Sequence, residues 1–99
     1  MKPKKLLFHP EAVSDAKAAF IWYAQRNHGA AEAFLREVDR GVEKIERNPF
    51  ARAEFRPGFR RYLFRRFPFS LVYMIHEDTI HVIAVAHARR RPGYWKTRS

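Results

Sequence analysis

Four arginines within seven residues are the densest chemistry in this chain. Residues 59–66 read FRRYLFRR, which interleaves Arg60, Arg61, Arg65 and Arg66 with Phe59, Tyr62 and Phe64. Guanidinium forks bind phosphate or carboxylate oxygens, and aromatic rings offer stacking faces to bases. Read as a strand, the segment sends Arg61, Leu63 and Arg65 to one face and Arg60, Tyr62, Phe64 and Arg66 to the other. Any register then leaves at least two arginines on the face away from the core. That combination suits a nucleic-acid strand or an acidic peptide.

A second basic cluster follows near the end of the chain: Arg89-Arg90-Arg91, then Tyr94-Trp95 and Arg98. It reads in two ways, as a solvated charge run or as a binding surface with an aromatic pair beside it. Tyr94 and Trp95 either pin the tail to the sheet or meet a ligand. Five histidines are scattered without an H-x-x-x-H spacing, and there is no cysteine. No metal site, cofactor, thiolate nucleophile or disulfide is therefore expected.

The charge is unevenly placed. Residues 1–49 carry nine Lys/Arg against seven Asp/Glu; residues 50–99 carry eleven against three, so eight of the ten net positive charges fall in the second half. A small domain that keeps its positive charge on one structural layer presents a surface to a polyanion or an acidic partner.

The elements that position these groups can be read from spacing. Residues 4–8 form a short apolar edge strand flanked by lysines. His9-Pro10-Glu11 starts a helix, with Pro10 at the first position and Glu11 facing the positive end of the dipole. Ala12, Ala16, Ala19, Phe20 and Tyr23 draw an apolar stripe that stops at residues 25–29, where Asn27 and Gly29 supply a stop and a tight turn. A second helix spans residues 30–47, with Phe34, Val38, Val42 and Ile45 on one face and the pairs Glu32–Arg36 and Glu43–Arg47 on the other. Asn48-Pro49 ends it. Two such helices make an antiparallel hairpin.

Three strands follow, at residues 59–66, 67–75 and 79–87, with Glu77-Asp78 as the turn between the last two. Strict alternation places Phe69, Leu71, Tyr73 and Ile75 opposite Ser70, Val72, Met74 and His76. It likewise separates Ile80, Val82, Ala84 and Ala86 from His81, Ile83, Val85 and His87. Both faces are partly apolar, and one helical hairpin covers only one of them. The second face, or a groove beside it, is a candidate binding surface; the alternative, which does not exclude it, is that the tail after His87 folds back over that face. The expected fold is α+β, an N-terminal strand and helical hairpin packed on an antiparallel sheet.

Ninety-nine residues suffice for one domain with one core, so residues 1–99 are read as a single unit. The apolar run Leu6-Leu7-Phe8 behind the N-terminal lysines is shorter than the roughly seven to fifteen residues of a signal-peptide core. No stretch approaches the roughly twenty apolar residues of a membrane span. A soluble, cytoplasmic protein without membrane association is expected.

With these elements in place, the chain resembles the RelE/ParE superfamily of type II toxin–antitoxin toxins. The resemblance rests on Arg66-Phe67-Pro68-Phe69-Ser70-Leu71-Val72-Tyr73, then Ile83-Ala84-Val85-Ala86-His87, then Arg91-Pro92-Gly93-Tyr94-Trp95. Upstream, His9-Pro10-Glu11-Ala12, Trp22-Tyr23 and Asn48-Pro49 match the same pattern in order, so it covers nearly the whole chain. It implies a bacterial growth inhibitor of the plasmid-stabilisation type, neutralised by a proteic antitoxin. An acidic, amphipathic segment of that antitoxin would pair its carboxylates with arginines.

The resemblance implies two targets. ParE-like members poison DNA gyrase, and the segment Phe55-Arg56-Pro57-Gly58-Phe59-Arg60 with the tail His87-Ala88-Arg89-Arg90 leans that way. RelE-like members cleave mRNA on the ribosome without a metal. That reaction needs a base for the 2′-OH proton, a clamp for the phosphorane and an acid for the leaving oxygen. Glu54 or His87 is the candidate base, Arg61 and Arg65 the clamp, and His87 or Tyr94 the acid. Arg60, Arg66, Arg89, Arg90, Arg91, Trp95 and Arg98 are candidates for contact with the target or with nucleic acid. Each has a plain alternative: a packing His87, a loop carboxylate at Glu54 paired with Arg52 or Arg56, a tail pinned by its rings. A basic nucleic-acid-binding module without toxicity is the rival reading from charge alone.

Overall fold

The computed structural model describes Pro3 and residues 5–98. The chain runs β1 (Lys5–Phe8), α1 (Pro10–Ala24), α2 (His28–Arg47), β2 (Arg60–Leu63), β3 (Phe69–His76) and β4 (Thr79–His87), and ends in a 3₁₀ turn, Tyr94–Arg98. The sheet order is β1-β4-β3-β2. The antiparallel expectation describes β2, β3 and β4; β1 is an edge strand, as expected, but joins β4 in parallel, so the sheet is mixed. Lys4, the first residue of the expected edge strand, lies outside the described residues, as do Met1 and Lys2 of the N-terminal run.

Helix α1 begins as its sequence suggests. His9 is the N-cap, and its Nδ1 accepts from the Glu11 N–H at 3.0 Å. The region between the helices differs from expectation. Asn27 does not end α1 but opens α2, accepting from the Ala30 N–H at 3.0 Å, and Gly29 sits inside the first turn of α2. An asparagine side chain satisfies an orphan helical donor better than it closes a helix in extended backbone.

Helix α2 buries Phe34, Val38 and Ile45 as its stripe requires, and with them Glu37. Gly41 lets it approach the sheet: a Cβ there would lie 2.8 Å from Leu71 Cδ1 and 2.9 Å from Tyr62 Cδ1. The Glu43–Arg47 pair forms at 3.2 Å, whereas Glu32 meets His28 at 4.0 Å instead of Arg36.

Two local departures set the site. Strand β2 stops at Leu63 instead of continuing to Arg66. Arg65 and Arg66 therefore lie in the exposed turn before β3, not on a sheet face, and the Arg65 N–H donates to the buried Glu37 carboxylate at 2.8 Å. The expectation that two strand arginines share the non-core face is corrected accordingly; of β2, that face carries Arg61 and the exposed Leu63, while Tyr62 enters the core.

The second departure is a β-bulge. Val72 pairs with Ala84 and Tyr73 with Val82, which leaves Ile83 as the extra residue. Strict alternation along β4 breaks there. Ile80, Val82 and Val85 all join the helix-side core, while Ile83, Ala84 and Ala86 join a second core on the opposite face. The tail covers that opposite face: Trp95, 5% exposed, packs on it with Phe59 and Val72. The tail therefore covers much of the second face, and a groove remains between it and the sheet.

Candidate functional site

Where the tail turns over the end of the sheet, two clefts open on either side of His87 and Arg90, which line both. The first, about 520 Å³, lies between α1 and the tail and is largely apolar. Trp22 and Tyr23 form its helical wall, Phe69 and Val85 its base, and Tyr94 its far wall. Trp22 is half exposed, and the Arg26 guanidinium lies 3.7 Å from the centre of its ring while donating to the Trp22 carbonyl at 2.8 Å. Burial, and after it the Asp15 carboxylate, pushes the Tyr94 phenol above the usual tyrosine range, so it stays protonated at neutral pH.

The second cleft, about 300 Å³, lies between the sheet and the tail and is cationic. Arg56, Arg61, Arg90, His87 and Ser70 line it, with Trp95 beside them, and no carboxylate is among its lining residues. The loop carrying Arg56 is fixed by a tight turn. Pro57 and Gly58 (φ +84°) take its centre, Phe59 N–H donates to Arg56 C=O at 2.8 Å, and Glu54 accepts from the Gly58 N–H at 2.9 Å. Arg61 comes from β2 and Ser70 from β3, while His87 ends β4. The Arg61 guanidinium lies 4.4 Å from the Phe55 ring centre and that of Arg90 lies 3.9 Å from the Tyr94 ring centre.

His87 has a fixed orientation. Its Nδ1 accepts from the Arg89 N–H at 3.0 Å, and its ring meets Phe69 edge to face at 4.8 Å. The neutral ring therefore carries its proton on Nε2 and offers a donor there, not a free lone pair. A phenol held above its ordinary range is likewise a hydrogen-bond donor and a weak acid.

The remaining candidates fall elsewhere. Glu54 lines neither cleft; it bonds to Gly58 and lies 3.6 Å from Arg60. Arg60 also donates to the Arg52 carbonyl and sits against the Phe50 ring. Arg65 is not brought beside Arg61, and Arg66, Arg89 and Arg91 are exposed outside both clefts. Arg98 is held inside the protein. It bonds to Asp15 at 2.7 and 3.3 Å and to the Ile83 carbonyl at 3.1 Å, with Glu11 at 3.7 Å. The Asp15 hydrogen bond is the main influence raising its already high pKa.

Sequence reasoning did not single out Asp15, Glu37, Ser70 or Arg56 as site residues. Asp15 and Glu37 had a signal, since each is an acid on the apolar stripe of its helix, where an unpaired carboxylate would be costly. Among the described residues no group of three His, Cys, Asp or Glu could hold a metal, and no helix is long and apolar enough to cross a membrane.

The fold agrees with what comparison with known proteins finds. The model of the ParE toxin of the type II toxin–antitoxin system parDE matches residues 6–92. The chain belongs to the ParE toxin family. Among solved structures it is similar to a chain of the chromosomal ParDE toxin–antitoxin system from P. aeruginosa, with a TM-score of 0.78 at 17% identity. That match covers 90% of this chain and all of the other, and at such identity it speaks for the fold. No curated protein matches the chain.

Proposed function

We propose that this ParE-family toxin arrests bacterial growth by poisoning DNA gyrase in the cytoplasm, and that a cognate antitoxin silences it. The observation that carries the gyrase reading over mRNA cleavage is the chemistry of the cationic cleft. It can hold an anion, but none of its lining side chains is a carboxylate, and the one imidazole presents a donor. In-line attack by a 2′-OH calls for a group that takes a proton. The antitoxin segment fits the apolar cleft: aromatic walls at Trp22 and Tyr94 receive its apolar side chains, and Arg26 beside Trp22 donates to its carboxylates.

The test is brief induction of this chain alone in a bacterial host, with growth, primer extension on total RNA and trapped gyrase–DNA cleavage complexes read together. The expected result is arrest with intact mRNA and accumulated cleavage complexes. New mRNA 5′ ends inside coding regions would move the reading to ribosome-dependent cleavage, and undisturbed growth at high expression would leave a nucleic-acid-binding module. Co-expression with the adjacent antitoxin should restore growth and raise the soluble yield.

A further inference from the structure

We infer that the cationic cleft lined by Arg56, Arg61, Ser70, His87 and Arg90 is a phosphate-binding site. The inference goes beyond the choice of cellular target, since it stands on the cleft itself.

Three guanidinium groups border one cavity of about 300 Å³. A rounded space of that volume is roughly 8 Å across, about one Debye length at physiological salt, so three like charges at its border still repel one another, more strongly as salt falls. None of the three has a carboxylate within ion-pair distance among the described residues, although Arg40, Arg47, Arg60 and Arg98 all do. Each instead has a neutral surface nearby. Arg61 lies over Phe55 and Arg90 over Tyr94. Arg56 lies against Gly93, whose missing Cβ would stand 3.5 Å from Arg56 Cζ. A ring behind a guanidinium fixes its plane and leaves its edge donors free.

The count of donors selects the anion. Three arginines, Ser70 and His87 line one cavity, so five hydrogen-bond-donating side chains border it. A carboxylate presents two oxygens, enough for one fork and little more. A phosphate group presents more oxygens on a tetrahedral frame and so answers donors arriving from several directions. The donors here come from the 55–59 turn, from β2, β3 and β4, and from the tail. The source of the phosphate is a nucleic-acid strand, a nucleotide or the free ion, all of which share this chemistry.

The full-length chain is titrated at low and at physiological salt with inorganic phosphate, a nucleoside monophosphate, a short single-stranded DNA oligonucleotide and a glutamate-rich peptide. Binding is read by calorimetry and by the fluorescence of Trp95 in a Trp22→Phe background. We expect the phosphate-bearing probes to bind and the peptide to bind at least tenfold more weakly. Arg61→Gln and Arg90→Gln should each lower phosphate affinity at least tenfold, with folding checked by circular dichroism. Arg36→Gln, on the exposed face of α2, should leave it unchanged. Binding by the free ion and the mononucleotide identifies a site that reads phosphate alone; binding by the oligonucleotide only assigns it to a strand. The inference is overturned if no phosphate probe binds, if Arg36→Gln costs as much as Arg61→Gln, or if the peptide competes on equal terms. None of these results depends on growth arrest, so the site and the target stand or fall separately.

Discussion

Arg90 and Arg98 leave the same tail and flank the same ring, at 3.9 and 5.2 Å from the centre of Tyr94, yet their charges are treated in opposite ways. Arg98 has two oxygens of Asp15, the Ile83 carbonyl and Glu11 around its donors. Arg90 has the ring behind it and no carboxylate partner among the described residues. The lesson extends to the rest of the basic half. An arginine that builds the fold is surrounded by acceptors; one that serves a ligand is held flat by a neutral surface with its donor edge unanswered. Net charge cannot distinguish the two, but the neighbours can.

Removing Arg98 should sharpen this contrast most. Arg98→Ala takes the guanidinium from the mostly buried Asp15 carboxylate, which keeps the Val85 N–H, and frees the end of the tail; we expect a loss of about 3 kcal/mol in urea denaturation. Gly41→Ala tests the other side of the sheet. Its Cβ would press on Leu71 and Tyr62, and overpacking of this kind costs about 1–3 kcal/mol in the same measurement.

Tyr73→Phe should cost about 1 kcal/mol, because the buried hydroxyl donates to the Pro49 carbonyl at 2.8 Å. It also carries a pH signature. Burial raises the Tyr73 pKa, with Arg52 and Arg60 partly opposing. Its contribution is therefore complete below the unfolded value of about 10, and is lost as pH climbs towards the folded value. Alkaline unfolding should accordingly be shallower in Tyr73→Phe. At the small end, Arg61→Ala and Arg90→Ala should each change stability by only about 0.5–1 kcal/mol, the scale of a ring–cation contact. A loss comparable to that of Arg98→Ala would break the comparison, since it would make the cleft arginines structural.

Much of the fold was legible because the helices carry one-sided stripes and their ends carry His9-Pro10 and Asn48-Pro49. The turn at Glu77-Asp78 was equally plain. The bulge was not, because β4 is apolar on both faces and an isoleucine at position 83 suits either one. Phe64 continues the aromatic pattern of β2 and so hid the end of that strand at Leu63. The path of the tail depends on Trp95 finding a surface that no local pattern specifies. Among the site candidates, Arg61, His87, Arg90 and Trp95 could be named from residue type, and the fold brings them to one cleft. Arg56 figured only in the Phe55–Arg60 segment and as a partner for Glu54, and Ser70 only in the strand alternation and within Arg66–Tyr73. Their place in the cleft comes from the Pro57-Gly58 turn and from the pairing of β2 with β3, which are long-range facts.

The extra residue at Ile83 divides β4 into two stretches that answer to different neighbours. The stretch nearest the Glu77-Asp78 turn belongs to the β3–β4 hairpin and, along one side, to β1. The stretch beyond the bulge aims Val85 and His87 towards the clefts. Resizing the hairpin at its turn leaves the aim of His87 untouched. Deleting Ile83 would leave Ala84 opposite Val72 and His87 opposite Phe69, so each side chain keeps its face; what goes is the local bend, and with it the angle at which Val85 and His87 meet the clefts.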